Sequence, residues 1–562
     1  MSCRAEEIRR AATAGRFRDN ELTTCPADWG RIGFPKMHQG SLALLLHAHL
    51  PWVRHPEHEE FFEEDWLFEA IAETYLPLLR MLRQHVTEGI PTRLTFTMTP
   101  TLCAMLRDKL LQERAERYLE RGAELARREI ERTSGDPELQ EIARFYFRHF
   151  SDARTFYVDV LNRDVVGAFA QLQTEGVIEI ITCAATHGFL PLMESFPEAM
   201  RAQVLIGCDE YRECFGRDPE GIWLPECGYV PGIDKILQEA NLRWFVVDAH
   251  GLMYGDPQPR FAIYSPYFTP AGPAVFARDR ESSKQVWSAR EGYPGDPAYR
   301  DFYRDIGNDL PEEYIHGVFP NIGHRRNTGI KYHRITGSEH KELYNRGWAM
   351  GAADSHAGDF LRNRVKQIEH LRSILPIDPL IVSPFDAELF GHWWFEGPEF
   401  LDLFLRKAAF DQSVFRLTTP GEYLSTHPTL QMVAPSPSSW GNKGYWEVWL
   451  DLSNAWIYPH LHEAARRMTA SARKFQKSRS KLADRILRQM ARELLLAQSS
   501  DWAFLMKTGT AKEYATRRTK DHVLRFSRLY DDLEAGSKNV DFVAACEERD
   551  NLFPNINWRH YL

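Results

Sequence analysis

Residues 40–51 read Gly-Ser-Leu-Ala-Leu-Leu-Leu-His-Ala-His-Leu-Pro, and the fold can be argued outward from this stretch. A glycine precedes its apolar run and a proline follows it, a pattern typical of a strand buried on both faces of a parallel sheet. Because side chains alternate along a strand, His47 and His49 lie on the same side of the chain where the run ends. We therefore expect a buried strand that delivers two imidazoles to one edge of a sheet.

Six further short apolar runs follow, and several are separated by stretches with helical periodicity. The runs span residues 92–98, 177–183, 221–224, 244–247, 274–277 and 380–383, and the helical patterns span residues 67–86, 101–131, 145–175, 198–215 and 233–240. Strands that alternate with helices indicate βα units and a parallel sheet. So many units before residue 400 predict a barrel-like sheet, in which the chemistry occurs where strands end.

The chain divides into three predicted regions. Residues 1–39 carry scattered charge without a clear period and are expected to form an N-terminal extension. Residues 40–425 are expected to form a catalytic barrel with a helical insertion around residues 101–175, and residues 426–562 a C-terminal helical domain. Helices are expected there at residues 461–495 and 522–534. Residues 463–493 carry ten Lys or Arg against three acids, which predicts a solvated helix face.

Composition excludes several classes of protein. The 562 residues include 69 Lys and Arg against 78 Asp and Glu, a net charge of −9, which gives no support to nucleic-acid binding. Hydrophobic residues make up 43% of the chain, as in globular proteins. No run of about 18 apolar residues predicts a membrane span, and the N-terminus lacks the apolar core of a secretory signal. None of the eight cysteines forms a CxxC pair, so we expect reduced thiols and a cytoplasmic location.

Carboxylates follow two of the apolar runs. Glu226 lies in Trp-Leu-Pro-Glu-Cys-Gly-Tyr, where proline and glycine can redirect the backbone and aim the side chain into a pocket. Asp386 and Glu388 lie in Ser-Pro-Phe-Asp-Ala-Glu-Leu-Phe-Gly-His-Trp-Trp after the last run. Glycoside chemistry needs two carboxyl groups beside one bond, and aromatic faces hold sugar rings. One carboxylate must be ionised, and the other keeps its proton in an apolar or negatively charged setting.

Three histidines end two of the predicted strands. His47 and His49 follow the first run, and His187 follows the run at residues 177–183. Such histidines can be structural, can hydrogen-bond substrate hydroxyls, or can bind a metal, and the spacing leaves all three open.

Four of these segments, in this order, resemble the conserved regions of glycoside hydrolase family 57. They are HAHLP, CAATHGFLPL, WLPECGY and SPFDAELFGHWWFEGP, and they resemble the family's α-1,4-glucan branching enzymes best. Ser-Ser-Asp-Trp at residues 499–502 looks like a fifth region. The resemblance covers roughly residues 40–530.

This resemblance implies an α/β fold, an incomplete (β/α)7 barrel followed by a mainly helical C-terminal domain that contributes to the active-site cleft, and a retaining mechanism. By motif match, Glu226 would be the nucleophile and Asp386 the acid/base. The substrate-binding residues would be His47, His49, Trp66, His187, Tyr267, Trp393, Trp440 and Asp501. The substrate would be an α-glucan such as amylose or a glycogen-like polymer, with no metal or other cofactor and no nucleic-acid or membrane partner. We expect a monomer or a weak oligomer.

The acceptor of the transferred sugar separates the possible activities within the family. Water as acceptor would give hydrolysis, and the 6-hydroxyl of another glucan chain would give a branch. An α-amylase or a 4-α-glucanotransferase therefore stays possible beside a branching enzyme. The stretch at residues 329–337 and the Ser-Ser-Asp-Trp segment favour branching. Two loops could exclude water: residues 252–273, which contain Tyr254, Tyr264 and Tyr267, and residues 287–295, which contain Tyr293.

Two hypotheses outside this activity also stay open. The three histidines could serve a zinc-dependent deacetylase or mannosidase on a related barrel. The chain could also be a non-catalytic glucan-binding relative, although the presence of both carboxylates counts against this hypothesis.

Overall fold

The computed structural model of the protein describes residues 38–288, 291–536 and 539–562, so nearly all of the predicted extension at residues 1–39 lies outside the described residues. The strands are β1 Gly40–Ala48, β2 Leu94–Met98, β3 Ile178–Cys183, β4 Gly221–Trp223, β5 Trp244–Val247, β6 Tyr267–Phe268, β7 Ala274–Ala277, β8 Leu380–Asp386 and β9 Phe415–Leu417.

Seven of these strands form a parallel sheet in the order β7-β5-β4-β3-β2-β1-β8. The two-residue β6 pairs antiparallel with β7, and β9 pairs with the first three residues of β1. No strand pairing within the described residues joins β7 to β8, although the Asp279 N–H donates to the Val382 carbonyl across this opening at 2.8 Å. The predicted incomplete (β/α)7 barrel is therefore confirmed.

The register of β1 and β8 determines which side chains meet. The prediction ended the last strand at residue 383, but β8 continues to Asp386 because its pairing with β1 continues to His47. The aligned residues of neighbouring parallel strands point to the same face. The extra length therefore places Asp386 beside His47.

Helices surround the sheet and make up most of the chain after β9. Before β8 the helices are α1 Asp65–Ala70, α2 Leu76–Glu88, α3 Pro100–Arg107, α4 Lys109–Arg132, α5 Pro137–Thr155, α6 Val165–Thr174, α7 Pro197–Phe215, α8 Ile233–Glu239, α9 Ala249–Met253, α10 Arg280–Trp287, α11 Ile306–Asp309, α12 Glu312–His316 and α13 Arg346–Ile374. After β8 they are α14 Gly397–Phe410, α15 Pro420–Thr426, α16 Ile457–Phe475, α17 Lys481–Ala497, α18 Ser500–Thr508, α19 Lys512–Glu534 and α20 Val540–Arg549. A π-helical turn, Ile71–Tyr75, joins α1 to α2.

Three long helices predicted from the sequence are wrong as single helices. The pattern at residues 101–131 is broken at Asp108, whose extended backbone lets its side chain accept from the Leu111 N–H at the start of α4. Asp164 caps α6 in the same way within residues 145–175, and Ser480 caps α17 within residues 461–495. A capping side chain satisfies backbone donors that would be free at a helix start, so it favours a new helix over a continuous one.

The 29-residue α13, which was not predicted, buries three alanines in its first half. Its buried positions include Ala349, Ala353 and Ala357, so its hydrophobic periodicity is weak. A helix with so little contrast between its faces cannot be recognised from hydrophobic pattern alone.

The C-terminal helices reach the carboxyl end of the sheet through α18. The Ser500 N–H donates to the His187 carbonyl at 3.0 Å, and Ser499 forms a bridge with Gly188. The start of α18 therefore lies against the segment that follows β3. The boundary predicted at residues 425 and 426 stays a prediction.

None of the helices in the described ranges is both long and apolar enough to cross a membrane.

Candidate active site

The carboxyl ends of the parallel strands bring most of the predicted polar residues into one pocket. Six residues that end or follow these strands line it: His47 near the end of β1, His49 after β1, His187 after β3, Glu226 after β4, Arg278 after β7 and Asp386 at the end of β8. Catalytic residues of (β/α) barrels are found at this end. The pocket is therefore the candidate active site.

Glu226 occupies a strained turn directly after β4. Its backbone has φ 62° and ψ 24°, a left-handed conformation that costs a residue with a Cβ about 1 kcal/mol or more. Two donors hold the carboxylate: Trp440 Nε1–H donates to Oε2 at 2.7 Å and Ser500 Oγ–H donates to Oε1 at 3.0 Å. Burial raises the pKa of Glu226 to about 7, against the effect of these hydrogen bonds. The side chain is thus fixed in direction and can be ionised near neutral pH.

The hydrogen bonds of Ser500 determine the tautomers of two histidines. Because Ser500 donates its only hydroxyl proton to Glu226, its oxygen accepts from His187 Nδ1–H at 2.8 Å. Burial, then the neighbouring His49 and His47, lowers the pKa of His187 well below its ordinary value, so the ring is neutral. Its Nε2 therefore accepts from His47 Nε2–H at 3.0 Å. A chain of hydrogen bonds runs from His47 to the Glu226 carboxylate.

His47 ends this chain with an unpaired atom. Its Nδ1 is buried and has no hydrogen-bond partner among the described residues. Burial, and then the neighbouring His49, lowers the pKa of His47 well below its ordinary value, so the ring is neutral as well. The His47 ring stacks on Trp223, with centroids 5.1 Å apart, which holds it in place.

His49 forms an ion pair with the C-terminal helical region. Its Nε2 lies 3.0 and 3.1 Å from the two carboxylate oxygens of Asp501, and its Nδ1 lies 3.1 Å from Thr99 Oγ1. Burial lowers the pKa of His49, but the contact with Asp501 outweighs it and the pKa is raised. The same contact lowers the pKa of Asp501 against the opposing effect of burial. The pair therefore carries one positive and one negative charge beside the pocket.

Asp386 and Glu388 differ sharply in their hydrogen bonds. No other side chain in the described ranges donates to the Asp386 carboxyl. Burial, then the negative charges of Glu388 and Glu226, raises the pKa of Asp386 well above its ordinary value. Glu388 accepts two hydrogen bonds on Oε1, from the Tyr75 hydroxyl at 2.5 Å and from the His49 N–H at 3.2 Å. The proton of this carboxyl pair is therefore expected on Asp386.

Trp440 forms one wall of the pocket. Its ring packs edge-on against Trp223 at 5.0 Å, and the Arg278 guanidinium lies 5.9 Å from its centre. The backbone N–H of Trp440 also donates to the Glu226 carbonyl at 3.0 Å. Trp440 therefore supplies an aromatic face to the pocket and also positions the nucleophile candidate.

Two other predicted aromatic residues lie apart from this group. Trp66 is partly buried and packs edge-on against Tyr514 of α19 at 5.9 Å, at the contact between the barrel and the C-terminal helices. Trp393 is 43% exposed and lies 6.1 Å from the ring of Trp287. Their roles in substrate binding stay predictions.

The structure gives Tyr267 no access to a substrate. The side chain is fully buried on β6, and its hydroxyl accepts from the Phe261 N–H and donates to the Ala262 carbonyl, both at 2.9 Å. These bonds hold the loop at residues 252–273 instead of reaching into the pocket, so the expected lid contact of Tyr267 is wrong in this conformation. Tyr254 of the same loop is 67% exposed.

Tyr293 of the second loop is also anchored. Its hydroxyl donates to Asp359 of α13 at 2.8 Å, and its ring stacks on His356 at 4.6 Å. Residues 289 and 290 of this loop lie outside the described residues.

Three of the pocket residues could also bind a metal. His49, His187 and Asp501 offer one ligand atom each, all within 4.8 Å of one another. The two imidazole rings are stacked, however, with centroids 3.9 Å apart and planes 17° apart. The lone pairs of stacked rings lie in nearly parallel planes, so they do not converge on one ion unless a ring rotates. The expectation that no metal takes part stays a prediction.

Sequence reading missed the residues that hold the predicted ones in place. Ser500 adjoins the predicted Asp501, so the Ser-Ser-Asp-Trp segment held a signal for it. Tyr75 gave none, because it fits the apolar period of its helix as a core residue. Thr99 and Arg278 are likewise connected to the site only through the fold.

Two family models match the chain over most of its length. The one described as glycosyl hydrolase family 57 matches residues 43–435, and the chain therefore belongs to that family. The second, described as the C-terminal part of 1,4-alpha-glucan branching enzymes, matches residues 460–561. The family predicted from the four motifs is confirmed.

Similar proteins include both branching enzymes and an amylase. The chain is 34% identical over 554 residues to a 1,4-alpha-glucan branching enzyme of Thermococcus kodakarensis, and the match covers 92% of this chain and 77% of the relative. A solved branching enzyme of this family from Pyrococcus horikoshii is 36% identical, with a TM-score of 0.84 and coverage of 93% and 97%. The solved alpha-amylase AmyC of Thermotoga maritima is 45% identical, with a TM-score of 0.87 and coverage of 93% and 99%.

Proposed function

We propose that this protein is a 1,4-α-glucan branching enzyme, a retaining transglycosylase that cleaves an α-1,4 glucan and transfers the released segment to a 6-hydroxyl. The observation that carries the proposal is the pair of unlike carboxyl groups in one buried pocket: among the described residues, Glu226 accepts two hydrogen bonds from side chains and Asp386 accepts none. Retaining glycosidases need an ionised carboxylate and a protonated one on either side of the bond. The match of the C-terminal helices to branching enzymes supports the transfer reaction.

The first half of the reaction uses the two carboxyls in their resting states. Glu226 attacks the anomeric carbon while Asp386 gives its proton to the departing glycosidic oxygen, which leaves with the bonding electron pair. Trp440 and Ser500 hold the attacking carboxylate still, which limits the reorganisation needed to reach the transition state. A glycosyl-enzyme ester results.

In the second half, Asp386 removes the proton of the acceptor hydroxyl as that oxygen attacks the same carbon and Glu226 leaves. A glucan 6-hydroxyl as acceptor gives an α-1,6 branch, and water gives hydrolysis. Because the same carboxyls serve both acceptors, the outcome depends on acceptor binding and on the exclusion of water.

An α-amylase is the second candidate, because the chain is 45% identical to a structure described as one. In this proposal, the loops at residues 252–273 and 287–295 determine whether the enzyme branches the glucan or hydrolyses it. The hydroxyls of Tyr267 and Tyr293 are both bonded to protein atoms, and Tyr264 is partly buried. Tyr254, at 67% the most exposed tyrosine of the first loop, is the one proposed to contact a bound glucan.

Proton NMR of amylose incubated with the enzyme tests the proposal. The α-1,6 anomeric signal and the reducing ends are followed in the same sample. Growth of the α-1,6 signal with few new reducing ends is the expected result. Reducing ends without an α-1,6 signal would make the protein an amylase, and no change in either signal would refute both.

A cytoplasmic location and a monomeric or weakly oligomeric state are part of this proposal. Six cysteines in the described residues are free thiols, which is compatible with a reducing compartment.

A further inference from the structure

The candidate active site contains another buried carboxyl group, Glu388, which takes no part in the proposed reaction. It lies in the short turn Ala387–Leu389 that directly follows Asp386, and only 4% of its surface is exposed. Burying a carboxylate is costly unless hydrogen bonds or opposite charges compensate. Its retention beside Asp386 therefore needs an explanation.

The environment of Glu388 favours its ionised form over that of Asp386. The Tyr75 hydroxyl and the His49 N–H both donate to Oε1, at 2.5 and 3.2 Å. Tyr75 is fully buried, and its hydroxyl makes no other hydrogen bond within the described residues. Hydrogen bonds donated to a carboxylate stabilise its charge, and Asp386 accepts none from the part of the chain that the structure describes.

The backbone fixes Tyr75 and Glu388 relative to each other. Tyr75 ends the π-helical turn Ile71–Tyr75, and such turns occur often at functional sites. Gly391, at φ 122°, follows Glu388 in the chain and packs on this turn so closely that a Cβ there would lie 1.8 Å from the Glu73 carbonyl. Only glycine permits this approach, so the turn and the Glu388 segment form one rigid unit.

We propose that Glu388 is a positioning residue that keeps the catalytic proton on Asp386 between turnovers, and that Tyr75 keeps Glu388 ionised and correctly oriented. The inference rests on the proposed role of Asp386 as the acid/base. Burial raises the pKa of Glu388 to about 7, against the effect of the hydrogen bonds from Tyr75 and His49, so Glu388 ionises near neutral pH. Its negative charge next to Asp386 makes loss of the Asp386 proton unfavourable, so the acid needed for the first half-reaction is retained as the pH rises through neutrality.

Other titratable groups also face Asp386 and Glu388, and they have opposing effects on the ionisation of Asp386. They are Glu226 after β4, Arg278 after β7 and His49 after β1, together with the thiols of Cys103 beside Tyr75 and Cys227 beside Asp386. Arg278 favours the ionised form of Asp386, while Glu226 and Glu388 oppose it. The hydrogen bond with Cys214 and then burial raise the pKa of Cys103, and burial raises the pKa of Cys227, both well above the ordinary value, so the two thiols are neutral. Glu388 is therefore the removable negative charge that is not the nucleophile.

The test is the pH dependence of kcat/KM on amylose, with all turnover counted as new α-1,6 bonds plus new reducing ends. The alkaline limb of this profile reports loss of the proton from the acid. Glu388→Gln removes the charge, so the pKa of Asp386 should fall and the limb should move to lower pH by roughly one unit. Tyr75→Phe should move it in the same direction by less. Glu388→Asp, which keeps the charge, should restore the position of the limb.

Tyr211→Phe is the matched control, because the buried Tyr211 hydroxyl also makes its bonds inside the fold, to the Ile180 carbonyl and to Gln173. Its profile should be unchanged. A purely structural role for Glu388 would lower the rate equally at every pH, and an unshifted limb in both Glu388→Gln and Tyr75→Phe would overturn the inference. If the wild type produces neither α-1,6 bonds nor reducing ends, the proposed function fails instead.

Discussion

Replacing the nucleophile candidate should make the protein more stable as well as inactive. Glu226→Gln removes a carboxylate whose pKa is raised from 4.5 to about 7 by burial. At 1.36 kcal/mol for each pH unit, this rise corresponds to about 3 kcal/mol of folding free energy that the ionised side chain opposes. The variant should lose all activity on glucans and retain its fold.

The pH dependence of the gain follows from the direction of the pKa change. A carboxyl with a raised pKa in the folded state binds its proton more tightly there than in the unfolded state. The folded wild type therefore has its full stability below about pH 4.5 and loses this contribution as the pH rises through about 7. Glutamine has no such dependence, so the difference between variant and wild type should be absent near pH 4.5 and complete at pH 8.

The glutamine side chain can keep both hydrogen bonds of the glutamate. Its oxygen can accept from Trp440 Nε1–H, and its amide can donate to Ser500 Oγ, which already accepts from His187. The Ser500 hydroxyl proton, which the wild type donates to Glu226, then has no acceptor, so this one unsatisfied donor offsets part of the gain.

Thermal unfolding of both proteins from pH 4.5 to pH 8 measures the effect. For a chain of this size, about 3 kcal/mol corresponds to a rise in Tm of roughly 3 °C. Glu339→Gln, at an exposed glutamate without a hydrogen bond or an ion pair to another described residue, is the control and should show no change. Equal Tm differences at pH 4.5 and pH 8, or a less stable Glu226→Gln at pH 8, would refute the reasoning.

Three other outcomes are expected. Ser500→Ala removes one hydrogen bond to the ionised Glu226, worth about 1.5–3 kcal/mol, so the pKa of Glu226 should rise. The acid limb of the pH profile of kcat/KM should then move to higher pH by roughly one to two units, and an unmoved limb would show that this bond does not stabilise the ionised nucleophile. Replacing Arg473, Lys474 and Lys477 together with Ser should leave glycogen affinity unchanged in affinity electrophoresis, because Arg473 and Lys474 already pair with acidic residues of the protein. A several-fold loss of affinity would make the end of α16 a glucan site. Extensive dialysis against a chelator should leave branching activity intact, and activity restored only by added zinc would contradict the non-metal assignment of the histidines.

Much of the barrel and two of its key residues could be read from the sequence. The strands β5 and β7 have the bounds that their apolar runs predicted, because a strand buried on both faces needs a continuous apolar run and the turns beside it are local. Glu226 and Asp386 were recognisable because each follows such a run within a distinctive segment. Helix breaks were not, since a single capping side chain decides them.

The tertiary structure alone decided how these residues are held. The sequence contains Tyr75 as a periodic core residue and Ser500 as a neighbour of an acid, 313 residues from Glu388 and 274 from Glu226 respectively. Periodicity reports which face of an element is buried, but it carries no information on which distant element covers that face. The hydrogen bonds that place a proton on Asp386 and a charge on Glu226 form between such distant elements, so only the closed fold determines them.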